Sequence, residues 1–523
     1  MIRSNQSTAP LSEQLKQTHI DRRILPMFND TRSRNISIEK KFYDIVQPVG
    51  QNLLSKNQSF LINATSNSMI SLSESYFVVN ASITPGVVAG TGQGDNNAPC
   101  QFASSLFLDQ IKTRISNVDV SDQHPTGLYA YSSFQKGCLI KPREVDSIYH
   151  PSTYIMYVPD GSSTPRDRQP INGYVVESDR AAETLECLAP STQSIDQCWV
   201  SLANQAPSSV SIASSFSNLN ALYLKTLYEN YPMPLDPAVA ADIPTGNGNL
   251  EFVIQPRESI WMTGDYLPTN CQVQIDLTIA DVSKYFQWIA SSQPAFTLNS
   301  ISLYLCRVQP KEEALLAVNQ ALNASPFTYP LMFSRTESYQ IAAGARLSTI
   351  SCLNGITPNL VMVQLVATDC FSRVISQANP FSSGMLSAAD AGGDISYPVI
   401  NRMWLNVGSQ MYPRNAMYLC NTTTANFQTV QASYKEYKKC CLDSDKPYLT
   451  YRHWLNHYQL YTFNLVNDDS PFDCSTDLTQ SGNVQLNIEF GSATNYSYTA
   501  ILTALQGAQV SIDKTRSVQR EGF

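Results

Sequence analysis

The chain has 523 residues, a formal net charge of −8 and only 15% charged residues. That length exceeds what one core fills and predicts two domains of about 200–250 residues each. The acidic balance argues against a surface given over wholly to nucleic acid, and the abundance of Ser, Thr, Asn and Gln beside 27 Tyr points away from helical bundles to an all-β protein.

The first 45 or so residues read as an arm. Arg3, Lys16, Arg22, Arg23, Arg32, Arg34, Lys40 and Lys41 outnumber the acids there, and apolar residues are few. Two readings stay open: a poorly ordered terminus, or an arm that lies along neighbouring subunits or faces a polyanion. No apolar h-region marks a secretory signal, and no run reaches the length that crosses a bilayer, so a soluble protein made in the cytosol is expected.

From about residue 50, strand-like segments follow at short spacing. "SFLINA", "SYFVVNASIT", "IKTRISNVDV", "STYIMYVP", "LEFVIQP", "VQIDLTI" and "SISLYLCRV" are separated by turns rich in Gly, Pro, Asn and Ser. No strand–helix alternation of a parallel sheet is present. "QPKEEALLAVNQALNASP" is the exception. It has Pro310 at its start, Glu312 and Glu313 in its first turn, Leu315, Leu316, Val318 and Leu322 as an apolar side, and Pro326 beyond its end. Early acids suit the helix dipole, and an early proline sacrifices no hydrogen bond. This predicts a helix over 311–325 that connects two domains.

Strands resume after it with "SYQIAAGARLSTISCL", "LVMVQLVAT", "NRMWLNVG", "YQLYTFNLV" and "SGNVQLNIEF". In the last of these, apolar Val484, Leu486, Ile488 and Phe490 alternate with polar residues, as a strand with one buried face requires. Val273, Ile275, Leu277 and Ile279 repeat the pattern in the first half. The match predicts two tandem copies of one β-fold.

The search for chemistry is mostly negative. The twelve cysteines form no CxxC pair, and several sit inside apparent strands, so buried reduced thiols are expected. "AGTGQGD" lacks the helix that a phosphate loop needs. His453 and His457 have a spacing that places two imidazoles on one helix face, but no acidic third ligand accompanies them, and "LTYRHWLNHYQLYTF" reads as aromatic packing leading into a strand. Asp443, Asp445, Asp468 and Asp469 suit turns better than calcium loops or glycosidase pairs. No catalytic residue, metal ligand or cofactor site is assigned.

Several stretches carry a resemblance. They are "ASPFTYPLMFSRTESYQIAAGARLSTISCLNGITPNLVMVQLV" (324–366), "NPF" (379–381), "MWLNVGSQMYP" (403–413), "YTFNLVNDD" (461–469) and the terminal "SGNVQLNIEF…VSIDKTRSV". In this order they resemble the double jelly-roll major capsid proteins of the adenovirus lineage, and most of all the Polinton-like, adintovirus and virophage branch. The first half matches through "SSLFLDQIKTRISNVDV" and "YAYSSF". There Ser121-Asp122 replaces the family's usual Asn-Gly, and Val407 separates Asn406 from Gly408, which leaves that turn type open.

The resemblance implies an all-β chain of two tandem eight-stranded jelly rolls, at 46–310 and 326–515. A helical connector (311–325), an extended N-terminal arm (1–45) and a C-terminal tail (516–523) complete it. It implies a viral major capsid protein without catalysis, assembled in the host cytoplasm or nucleus and resident in the virion. Such a protein forms homotrimers with a pseudo-hexagonal outline that tile an icosahedral shell. Its partners would be itself, neighbouring capsomers, penton proteins, and minor capsid or cement proteins. Arg22, Arg23, Arg32, Arg34, Lys40 and Lys41 of the arm would face the inner surface and meet neighbours, genome or an internal membrane. Loops 87–97, 158–172 and 379–396 would form towers or intersubunit contacts. Two alternatives stand beside this: a penton or other minor capsid protein, and a carbohydrate-active β-sandwich enzyme using Asp468 or Asp469.

Overall fold

The structure, a computed structural model, describes residues 37–50, 55–84, 97–99, 103–140, 248–288, 295–373 and 481–521, with most of 380–466 and residue 472. Strands in the first half are β1 (Ile38–Val46), β2 (Asn57–Ile62), β3 (Met69–Thr84), β4 (Asn97–Pro99), β5 (Leu108–Ile115), β6 (Val118–Asp119), β7 (Gly248–Ile254), β8 (Val273–Ile279), β9 (Phe286–Trp288) and β10 (Ala295–Pro310). In the second half they are β11 (Phe327–Ile341), β12 (Leu347–Ile356), β13 (Leu360–Ala367), β14 (Met385–Leu386), β15 (Ile395–Ser396), β16 (Ile400–Val407), β17 (Gln410–Tyr412), β18 (Tyr461–Asn464), β19 (Ser481–Phe490), β20 (Tyr498–Ile512) and β21 (Val518–Glu521).

The sheets repeat one topology. The first half forms antiparallel sheets in the orders β1-β10-β3-β7 and β2-β8-β5-β6, and the second half forms β11-β20-β13-β18 and β12-β19-β16-β17. Strand for strand these orders coincide, so each half is a jelly roll of two four-stranded sheets packed face to face. The short ribbons β4–β9 and β14–β15 lie outside them.

The repeated sequence takes equivalent places. β8 lies between β2 and β5, and β19 lies between β12 and β16. In both, the alternate apolar residues are buried: Val273, Ile275 and Leu277 in one, Val484, Leu486 and Ile488 in the other. A strand in the middle of a sheet with one face on the core must alternate in this way, which is why the pattern was readable twice.

The helix Glu312–Ala324 connects the barrels, with Glu312 and Glu313 in its first turn and only Leu322 fully buried. The turn between β16 and β17 closes over Gly408 and Ser409, with Val407 paired to Gln410 and Gly408 at φ 58°. A two-residue hairpin requires that left-handed backbone, and glycine adopts it without strain.

Two expected boundaries are corrected. Ile38–Val46, assigned to the arm from sequence, is strand β1 and pairs along its length with β10. Its alternation is hidden because an edge strand carries Lys40, Lys41 and other charges that blunt open pairing. Val518–Glu521, assigned to a tail, is strand β21 on β20. The helices Tyr129–Ile140 and Val430–Lys439 were not foreseen. Much of the loops 87–97 and 379–396, and all of 158–172, lies outside the described residues.

Candidate functional site: the junction between the barrels

The largest cluster of buried charge lies where the first barrel meets the second. Residues Ser121–Pro125 leave β6 and lead to the helix Tyr129–Ile140. The backbone of Gln123 forms a parallel bridge to Arg335 on β11, with Gln123 N donating to the Ser334 carbonyl at 2.8 Å and Thr336 N donating to the Gln123 carbonyl at 2.8 Å. One barrel therefore adds a short strand segment to the edge of the other.

Asp122 sits at the centre. Its carboxylate accepts from Lys136 Nζ at 2.6 Å, from the Ser334 hydroxyl at 2.7 Å and from the Ser334 backbone N–H at 3.2 Å. Ser259 approaches from a third segment, its hydroxyl 2.5 Å and its backbone N–H 3.2 Å from the same carboxylate. Lys136 also donates to the Ser334 hydroxyl at 3.1 Å. Burial alone would raise the Asp122 pKa. The Lys136 charge and the hydrogen bonds from Lys136, Ser259 and Ser334 outweigh it and hold the carboxyl below its ordinary range.

Around this core a second ring of polar groups is closed. Glu258 accepts from the Asp122 backbone N–H at 2.8 Å and lies 2.9 Å from His124 Nε2. Arg257 donates from Nη1 to the Ser133 carbonyl at 3.1 Å and from its backbone N–H to the Tyr129 hydroxyl at 3.2 Å. Burial pushes the Tyr129 hydroxyl far above its usual pKa, so it stays neutral. Buried charges persist only when paired and hydrogen-bonded, and here nearly every donor finds an acceptor.

Aromatic packing surrounds the network. From the helix Tyr129–Ile140, Tyr131 meets Phe371 and Phe381 with centroids 5.3 and 5.1 Å apart, and Phe134 meets Phe381 and Tyr458 at 4.8 and 5.3 Å. Buried aromatic pairs add about 0.5–1.5 kcal/mol each beyond their area. Further hydrogen bonds cross the junction: Tyr131 to the Pro380 carbonyl at 3.0 Å, Tyr329 to the Tyr266 carbonyl at 3.0 Å, Tyr437 to the Cys138 carbonyl at 2.8 Å and Arg516 to the Thr269 carbonyl at 2.7 Å. A polar cleft of ≈ 380 Å³ opens at its edge, lined in part by Lys112, Asp119, Arg335 and Arg520.

The sequence-assigned residues fall elsewhere. Lys40 lies on β1 over the Phe42 ring, 4.9 Å from its centroid, and Lys41 pairs with Glu74 on β3. Both are fixed to the first barrel rather than carried on a free arm. Arg22, Arg23, Arg32 and Arg34 lie outside the described residues, as do His453, Asp443, Asp445, Asp468, Asp469 and the side chain of His457. Beside them, Trp454 and Tyr458 are fully buried, and Trp454 Nε1 donates to the Leu460 carbonyl just before β18. The described cysteines, including Cys138, Cys271, Cys306, Cys352 and Cys370, are free thiols and buried. Sequence reasoning noted Ser121-Asp122 only as a departure from a pattern; nothing marked Lys136, Glu258 or Ser334 as its partners, which lie 14 to 212 positions away.

No family model and no curated protein matches this chain. Solved structures do. A chain in the 3.5 Å electron cryo-microscopy structure of the Sputnik virophage is 11% identical with a TM-score of 0.56, covering 95% of this chain and 92% of that one. The mavirus major capsid protein is 10% identical with a TM-score of 0.48 over 95% of this chain and 94% of its own. A chain of the PBCV-1 virus capsid is 10% identical with a TM-score of 0.49 over 94% of this chain and 99% of its own. With its sixteen matched strands and this coverage, the chain has the all-β double jelly-roll fold of viral major capsid proteins.

Proposed function

We propose that this chain is the major capsid protein of an icosahedral virus, a non-enzymatic subunit that forms pseudo-hexagonal homotrimers and resides in the virion. The observation that supports this most is the junction itself. Two barrels of one topology are joined by a buried, fully hydrogen-bonded contact, so each chain supplies a rigid pair of similar wedges. Three such pairs around a threefold axis make a six-barrel ring with a nearly hexagonal outline, and hexagonal units cover a shell without gaps. Neighbouring capsomers, penton proteins, and minor or cement proteins are its partners in this reading. Arg22, Arg23, Arg32 and Arg34 would meet genome or an internal membrane from the inner side.

Electron cryo-microscopy of particles that contain the chain, with a stained gel of the same sample, tests this. The chain should be the dominant band and should fill the faces of the shell. A minority band confined to the vertices would make it a penton or minor protein. Glycan turnover abolished by Asp469→Asn would support the enzyme reading and contradict this one.

A further inference from the structure

The two barrels treat the same sheet face differently. In the second barrel, Ser334, Thr336, Thr503, Ile501, Met362 and Gln364 lie on the face of the β11-β20-β13 sheet that points away from its own core, as the pairs Thr336–Thr503–Met362 and Ile501–Gln364 place them. All six are at most 1% exposed. The cover comes from the first barrel: Asp122, Gln123 and Lys136 on Ser334 and Thr336, and Gln135, whose side-chain amide donates to the Ile501 carbonyl at 3.4 Å.

The matching face of the first barrel is the outer side of β1-β10-β3. Ile301, Leu303 and Leu305 of β10 point into the core, so Tyr304 points outward, paired with Ile45 on β1 and Tyr76 on β3. Tyr76 and Tyr304 stack at 5.3 Å, and Tyr43 extends the row at 5.8 Å from Tyr76. Among the described residues no element of the same chain covers this row, and Tyr43 and Ile45 are 48% and 57% exposed. A contiguous aromatic and aliphatic face of this kind marks an interaction surface.

We infer that this face, centred on Tyr43, Ile45 and Tyr304, is the seat for the second barrel of another copy of this chain. The inference rests on the trimer reading and adds to it the surface and the order of the contact. The occupant follows from the chain's own arrangement: the equivalent face of barrel two is already seated against a barrel of this fold. A contact that runs from barrel one to barrel two within a chain, and from barrel two to barrel one of the next, is head-to-tail. Repeated through three chains it closes into a ring of six barrels with alternating internal and external junctions. The external seat is more aromatic and less charged than the internal one, which suits a contact formed between preassembled surfaces without a buried ion pair to desolvate.

The test uses the full-length chain. Tyr43→Glu combined with Ile45→Glu alters only exposed positions of an edge strand, and light scattering across a dilution series reads the trimer midpoint. The double variant should raise that midpoint at least about thirtyfold, as loss of interface anchors does. Leu316→Glu, on the 60%-exposed outer side of the connector helix, should leave it unchanged. Hydroxyl-radical labelling supplies a readout independent of mutation: Tyr304 and Tyr76 should be protected in the wild-type trimer and labelled in the dissociated double variant. A wild-type trimer matched by an equally stable double-variant trimer overturns the inference and leaves the shell reading standing. Tyr304 and Tyr76 protected even in a monomer would put residues 1–36 or 141–247 of the same chain on the face, which also overturns it. A wild-type chain that stays monomeric at micromolar concentration removes the shell reading, and this inference with it.

Discussion

Lys136 and Ser334 belong to different barrels, yet the Lys136 ammonium lies 3.1 Å from the Ser334 hydroxyl, and both meet the Asp122 carboxylate, at 2.6 and 2.7 Å. A cation, an anion and a hydroxyl from three segments thus share one dry site. Removing any member leaves the others buried without partners, so the junction holds or fails as a unit.

Lys136→Met is expected to destabilise the chain by about 3–5 kcal/mol, because it strands the Asp122 carboxylate in a buried site. Denaturant unfolding followed by tryptophan fluorescence measures it. The combined Lys136→Met and Asp122→Leu variant should lose less than the sum of the single changes, since the second removes the charge that the first orphans. A loss below about 1 kcal/mol for the single variant would show that the pair is not buried as described.

The acid limb of stability should carry the signature of Asp122. Its folded carboxyl titrates below the ordinary value of about 3.9, so the unfolded chain binds its proton more readily. The contribution is therefore complete above about pH 4–5 and is lost as pH falls through the lower folded value. Asp122→Asn should flatten the stability profile between about pH 2 and 4 relative to wild type. Equal slopes for the two proteins would contradict this assignment.

Gly137 is expected to tolerate no side chain. A Cβ there would lie 1.5 Å from Arg257 Nη1 and 2.6 Å from its Cζ. Arg257 is buried and its Nη1 donates to the Ser133 carbonyl at 3.1 Å, so it cannot swing aside without losing that bond. Glycine to alanine in a helix interior ordinarily gains up to about 1 kcal/mol. Here Gly137→Ala should instead cost about 1–3 kcal/mol through overpacking, read as a lowered Tm. An increase in Tm would place Arg257 elsewhere.

Burial pushes the Cys352 and Cys370 thiols up to about 12 and the Cys271 thiol up to about 11, which suppresses the reactive thiolate. A disulfide reagent at mildly alkaline pH should modify the native protein rapidly at no more than Cys100, Cys187, Cys198 and Cys474, the cysteines beyond the buried eight. All twelve should react once the chain is unfolded. Fast native modification of Cys370 would contradict its burial.

The barrels were legible because their central strands have one wet face. β8 and β19 alternate so regularly that the duplication could be read from seven residues in each, and the connector helix carried its own proline and acidic signals. The helix Tyr129–Ile140 was not legible, because it is buried almost all round and shows no amphipathic period. β1 was mistaken for arm because its exposed lysines mask a strand. The junction escaped for a different reason. Asp122, Lys136, Glu258 and Ser334 are ordinary residues in separate segments, and only the packing of one barrel on the other gives them a common site.

The mass of the purified full-length chain in solution tests the central claim most directly. Light scattering at micromolar concentration should give three times the 58.0 kDa chain mass, with a six-lobed outline in projection by electron microscopy. A monodisperse species at the single-chain mass would contradict it.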